Sequence, residues 1–432
     1  LPILKRYSII HNMKIKVNIA SLFYTTILIF PAFITGPIAN FIRNLNIVDS
    51  SYPEYLTVLI IITPFVLLLK FEKIVSKRKY IRYIIILPIL NTMWIINSSA
   101  KDSLTTIISI SLPIYLAFLI VFYSNITTLL KSLVQFLNIF VLYLIVNISL
   151  FYLGYLPPNP QGRMGGSYAE IVTLAYTIAA LLPLYYYVYK SQKTTKAIIV
   201  FAILFIALFA TQTRGGVWIS LAYLLYFLYD SKIKHSKYRK IILSLSIVMF
   251  FVIIFAHNSI LNSKNDRLLH LAEPTRLFSL ITGITAWIDQ SIKQKFLGRG
   301  LNSFYDYQQW IRNGRDFYHN TFTYKGMLSL VQPHNSFTWL LVETGVIGAL
   351  SLTYIFTRKV KLFNTGSVLL FYLNLTCFTF LLFNLTESII IIYPNISILF
   401  WFITFLRIKL TIEQKENLYE KRNSNRFQHV HG

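Results

Sequence analysis

Acidic residues are scarce in this sequence. The 432-residue chain holds 16 Asp and Glu against 41 Lys and Arg, and 13% of it is charged, whereas a soluble domain carries roughly 25%. Cysteine is nearly absent too. Cys377 lies inside an apolar run, which excludes an intramolecular disulfide and a thiolate metal cluster. No CxxC, HExxH or Walker-type loop occurs, and there are no long repeats or low-complexity tracts, so the common metal and nucleotide motifs have no foothold.

What fills the chain is apolar: 55% of it is hydrophobic, in runs long enough to cross a hydrocarbon core about 30 Å thick. About twelve such runs can be counted with a sliding hydropathy window. They are Val17–Ala39, Tyr55–Leu69, Tyr83–Asn97, Leu104–Tyr123, Leu133–Leu153, Tyr168–Tyr189, Ala197–Ala210, Gly216–Tyr229, Ile241–Ala256, Asn335–Phe356, Ser367–Leu385 and Ser388–Leu406. The expected fold is therefore an all-α polytopic membrane protein. The first run follows Lys14 and Lys16 without a small-residue cleavage site and is expected to be a retained helix, with Met13 a candidate start.

The net charge of +25 would suggest nucleic acid in a soluble chain, but here the basic residues gather in alternate loops. Lys70 to Arg82, Lys190 to Lys196, Lys232 to Lys240, Arg358 to Lys361 and Arg407 to Arg426 hold many of them, while the short loops between carry only Arg43, Lys101, Arg163 and Arg214. The positive-inside rule then puts both termini in the cytoplasm and the second set of loops outside. No nucleic-acid partner is expected. The organisation so read is transmembrane helices with short loops over 1–256, one large outward loop over 257–334, three further transmembrane helices over 335–406 and a basic cytoplasmic tail over 407–432.

Loops longer than about 15 residues without function are uncommon, and the large one keeps apolar content. Its stretch "RLFSLITGITAWIDQSIKQKFLGRGLNSFYDYQQW" reads as amphipathic helix, turn and helix, folded against the bundle. The outward residues form a set: Arg163 in "QGRMGG", Arg214 in "TQTRGG", Arg276 in "EPTRLF", Arg299 in "LGRGLN" and His334 in "QPHNSF". Guanidinium groups bind phosphate oxygens bidentately and keep their charge in a partly dry site, and adjacent glycines admit a bulky anion. A diphosphate at the membrane surface suits them.

Arg214 sits between two apolar runs, a costly place that marks a functional candidate; the competing reading is an interfacial anchor at a helix end. Arg163 and Arg299 are read equally well as surface residues. His334 can exchange a proton near neutral pH and act as general base toward a hydroxyl, or it is a headgroup-level histidine without chemistry; His319 competes with it. Glu343 lies nine residues after His334, about half a helical turn out of phase, and is expected to be buried against a neighbour, paired or protonated. Gly345 and Gly348 are expected to form a small face for close helix approach.

The segment "HNSFTWLLVETGVIG", with His334, Asn335, Gly345 and Gly348 in H-N-x9-G-x-x-G order, resembles the signature of the O-antigen ligase and polymerase superfamily. "TQTRGG" and the arginine-led segment "TRLFSLITGITAWIDQSIKQKFLGRGLNSF" agree with the same family. The resemblance implies a metal-independent, cofactor-free glycosyltransferase of the bacterial inner membrane, with its active site on the periplasmic face and the 257–334 segment as a periplasmic loop. Its donor would be a glycan on undecaprenyl diphosphate. The acceptor would be a sugar hydroxyl of the lipid A core in a ligase, or another lipid-linked repeat unit in an O-antigen or exopolysaccharide polymerase; "TQTR" looks closer to ligases. Carried over by position, Arg214 and Arg276 would bind the donor diphosphate and His334 would activate or orient the acceptor. Arg163, Arg299 and Asn335 are further substrate-binding candidates. Paired carboxylates of the kind glycan hydrolases use are not visible. A lipid-linked-glycan transporter or flippase is the reading from another class, and it would show broken helices in two related halves, whereas the polar load here gathers at one face.

Overall fold

In hydrocarbon the backbone must satisfy its own hydrogen bonds, and a helix does so within a single segment. The computed structural model describes residues 19–34, 89–92, 103–155, 164, 171–189, 194–229, 283–300, 336–357, 367–386 and 394–430, and among them there is no strand. The helices are α1 Ile19–Ile34, α2 Ser103–Tyr123, α3 Ile126–Tyr152, α4 Ile171–Tyr189, α5 Thr194–Thr211, α6 Arg214–Tyr229, α7 Ile292–Leu297, α8 Ser336–Thr357, α9 Val368–Thr386 and α10 Pro394–Val430. Segments within α3, α4 and α8 are long and apolar enough to cross a membrane, and α1, α2, α5, α6 and α9 contain shorter apolar helices. The protein is a helical membrane protein. The expected spans Tyr55–Leu69 and Ile241–Ala256, and most of Tyr83–Asn97, lie outside the described residues.

The described helices fall into two compact units. The first unit contains α1, nearly all of α3, α4, α5 and α6. α4 is its centre, with Leu174, Ala175, Tyr176, Ile178 and Leu181 fully buried. Polar groups tie the helices across their apolar contact, as they must where lipid supplies no hydrophobic drive for association. The Thr25 hydroxyl of α1 reaches Ser132 O of α3 at 3.2 Å, the Ser132 hydroxyl returns to Ser21 O at 3.1 Å, and the Tyr185 hydroxyl of α4 donates to Leu137 O at 2.8 Å. Tyr186 stacks on Phe227 of α6 with ring centroids 4.0 Å apart.

The second unit contains α2, residues 283–300, α8, most of α9 and α10. Phe405 of α10 packs edge-on against Phe118 and Phe122 of α2. α10 continues without interruption to Val430, so the expected basic tail from residue 407 is helical over most of its length. Arg407 and Lys409 are buried, and the Lys409 ammonium donates to Val121 O at 3.0 Å and to Ser124 O. A helix end leaves carbonyls without intrahelical partners, so the lysine is held inside by the carbonyls that end α2. At another end of this unit, the Ser336 hydroxyl that opens α8 donates to Asn384 Oδ1 near the end of α9 at 2.8 Å.

Candidate functional site

Two neighbourhoods hold the described site residues, one in each unit. In the first, α5 ends at Thr211, whose hydroxyl turns back to Leu208 O at 2.6 Å. Gln212 follows with φ 51°, and Thr213 O accepts from Val217 N at 3.0 Å, so Thr213 caps α6. Arg214 is thus the first residue of α6, at the end of a helix whose dipole favours an anion. The two glycines after it are packing residues. A Cβ on Gly215 would lie 3.0 Å from the Tyr176 hydroxyl oxygen, and one on Gly216 3.1 Å from Ala175 Cβ, so the first turn of α6 presses directly on α4. Met164, the residue after Arg163, is buried and donates its amide to Ala210 O at 2.9 Å. The motifs "GRMGG" and "TQTRGG" are therefore joined by backbone at the end of α5. Arg163 itself lies outside the described residues, as do Arg276, His334 and Asn335.

The second neighbourhood is built by a broken helix. Gly345, inside α8, has φ 65° and ψ −176°, a region open essentially to glycine alone. The carbonyls of Val342 and Glu343, just before the break, are the ones the loop reaches. Arg299 N donates to Val342 O at 3.1 Å, Gly300 N to Glu343 O at 3.0 Å, and the Gln290 side-chain amide to Val342 O at 2.9 Å. Gly345 is therefore a helix break that receives a loop. The close approach is to backbone 296–298, since a Cβ on Gly345 would lie 2.4 Å from Phe296 O. Glu343 contributes its carbonyl to this junction, and its side chain is buried.

The loop is shaped for that docking. Residues 283–288 are helical, and Ser291 then opens α7 with a capping box to Gln294, satisfying two amides reciprocally. The Trp287 indole donates to Lys295 O at 3.2 Å, closing the two short helices on each other. Gly298 ends α7 at φ 81° and ψ 170°, and a Cβ there would fall 2.1 Å from Glu343 O. Gly283 makes the matching approach at the other end, where a Cβ would fall 2.6 Å from Thr338 Cβ. Arg299 is half-buried at this junction. Gln290 and Gly283 were not singled out as site residues by the sequence, and Gly298, expected beside Arg299 to admit an anion, packs here against the backbone of Glu343. The glycines carried a signal in their spacing against "ETGVIG", but Gln290 had none, because only the fold reveals which carbonyl needs a donor.

Among the described residues, no group of three or more His, Cys, Asp or Glu side chains comes together that could hold a metal ion. The family model described as O-antigen ligase matches residues 199–353, a span that includes α6, 283–300 and most of α8. The match covers less than half of the chain and supports a likeness to the O-antigen ligase and polymerase superfamily, whose members are membrane glycosyltransferases, without separating ligase from polymerase. Comparison with the curated proteins gives no match.

Proposed function

We propose, from the premise that residues 199–353 carry the O-antigen ligase pattern, that this protein transfers a glycan from undecaprenyl diphosphate to a sugar hydroxyl of the lipid A core during lipopolysaccharide biosynthesis. The observation that carries the reading is that the matched span contains Arg214, Arg276, Arg299, His334 and the Gly345 break together. In the proposed reaction the acceptor oxygen attacks the anomeric carbon, the bond from that carbon to the diphosphate oxygen breaks, and undecaprenyl diphosphate departs. His334 takes the hydroxyl proton or orients the hydroxyl. Arg214 and Arg276 neutralise the charge that grows on the leaving diphosphate, as fixed cations aimed at a developing anion do, without a metal or other cofactor. Direct displacement inverts the anomeric centre. Asn335, Arg163 and Arg299 would contact substrate around this centre, in the periplasmic leaflet of the inner membrane and with both termini cytoplasmic.

The test uses the full chain in lipid with EDTA, an undecaprenyl-diphosphate glycan and a lipid A-core acceptor, supplied separately and together. Transfer to the acceptor by wild type, lost in Arg214→Ala and in His334→Ala, is the expected result. Growth of glycan chains on donor alone would make the protein a polymerase instead. Movement of donor across the bilayer without transfer would replace both readings with a transporter.

A further inference from the structure

Residues 283–300 were assigned by the sequence to an aqueous loop, yet their exposed residues include four large hydrophobic side chains beside Asp289, Ser291 and Lys293. Ile284 is 44% exposed, Ile288 54%, Ile292 77% and Phe296 54%, four large side chains spaced four apart, while Gly283, Ala286, Gln290 and Gly298 on the other side are buried. In water such a stripe is unfavourable by roughly 25 cal/mol for each Å² of apolar surface left wet.

Its position along α8 supplies the occupant. The segment lies beside α8 from Thr338, met by Gly283, to Gly345, met by Phe296 and Gly298, a descent of about 10 Å at 1.5 Å per residue. Over that half of α8 no residue is exposed, whereas past the break Ile347, Leu350 and Tyr354 are. The segment thus packs along the half of α8 that exposes no residue, while the half past the break is the one with an outward apolar face. Irregular backbone is tolerated at membrane depth only where protein satisfies it. That condition is met: the amides of Gly298, Arg299 and Gly300 donate to Gln294 O, Val342 O and Glu343 O. Lys293 is exposed and Lys295 half-buried on the same short helix, and in lipid both would have to reach the headgroups along their apolar stems.

We propose that residues 283–300 are a membrane-embedded re-entrant segment, with Ile284, Ile288, Ile292 and Phe296 packed among the acyl chains of the leaflet at the N-terminal end of α8. The proposal does not depend on glycosyl transfer. It is tested on the full chain carrying Cys377→Ala, with single cysteines at Ile288, Ile292 or Phe296 labelled by an environment-sensitive fluorophore in nanodiscs. Leu350→Cys serves as the lipid-facing standard and Asp289→Cys as a polar neighbour. Acyl-brominated phosphatidylcholine should quench the three stripe positions as strongly as Leu350, and iodide in the buffer should leave them bright while dimming Asp289. Iodide reaching the stripe would return the segment to water and overturn the proposal. Stripe positions shielded from both quenchers would mean that a second copy or another part of this chain covers them, which also overturns it. A Leu350 label that bromolipid does not quench would overturn the membrane frame on which the comparison rests.

Discussion

Gly298 and Gly345 combine a backbone conformation that other residues avoid with a neighbour where a side chain would stand. The conformation alone costs a substituted residue about 1–3 kcal/mol, and the clash with Glu343 O or Phe296 O adds to it. Gly154 separates the two effects, since its φ is 79° and nothing lies within 4 Å of a Cβ there. Thermal unfolding of the purified protein should show Gly154→Ala only modestly destabilised and Gly298→Ala or Gly345→Ala markedly more so. Equal losses at the three positions would show that the loop does not press on the break. Gln290 acts at the same junction through one hydrogen bond. Because Val342 O keeps the Arg299 amide, Gln290→Ala is expected to cost about 1 kcal/mol, and a neutral result in the same unfolding assay would remove Gln290 from the account.

At the scale of elements, α2 and α10 are coupled by Lys409. Replacing its ammonium leaves the carbonyls of Val121 and Ser124 short of a donor, and a buried unsatisfied group costs about 1–3 kcal/mol. Lys409→Met, similar in volume, should therefore lower the unfolding temperature although it removes a charge from an apolar interior. An unchanged temperature would mean that the charge was costing as much as its bonds returned. The short helix α7 depends on local chemistry instead. Ser291→Ala removes the cap of a six-residue helix, a loss of about 1 kcal/mol. Its expected consequence is local: faster amide exchange over 292–298, with little change in global unfolding.

For the whole molecule, the sharpest expectation concerns Arg214. Its place at the head of α6, with Gly215 and Gly216 against α4, ties it to a rigid element, so Arg214→Ala should leave the fold intact and abolish transfer. Arg214→Lys keeps the charge without the bidentate fork and should restore transfer only weakly. Full restoration by lysine would favour the interfacial-anchor reading over diphosphate binding. Measurement of transfer alongside unfolding temperature distinguishes these cases.

Helicity, membrane residence and the order of the motifs were legible in the chain itself, because apolar runs of spanning length leave the backbone few alternatives in lipid. Arg214 was legible as well, since a cation between two such runs stands out against its surroundings. Other features depended on contacts remote in sequence. α10 runs past Leu406 because Lys409 finds carbonyls 285 and 288 residues earlier in the chain, a partner that no hydropathy window contains. The Gly345 break depends on amides that arrive from Arg299 and Gly300; viewed along α8 alone, "ETGVIG" is compatible with a continuous helix. The sequence by itself determined that the chain is helical and rich in apolar runs fit for a membrane, and the order in which its motifs occur. Only the tertiary structure decided which backbone groups were left unpaired by each helix end or break, and which distant residue had to come and satisfy them.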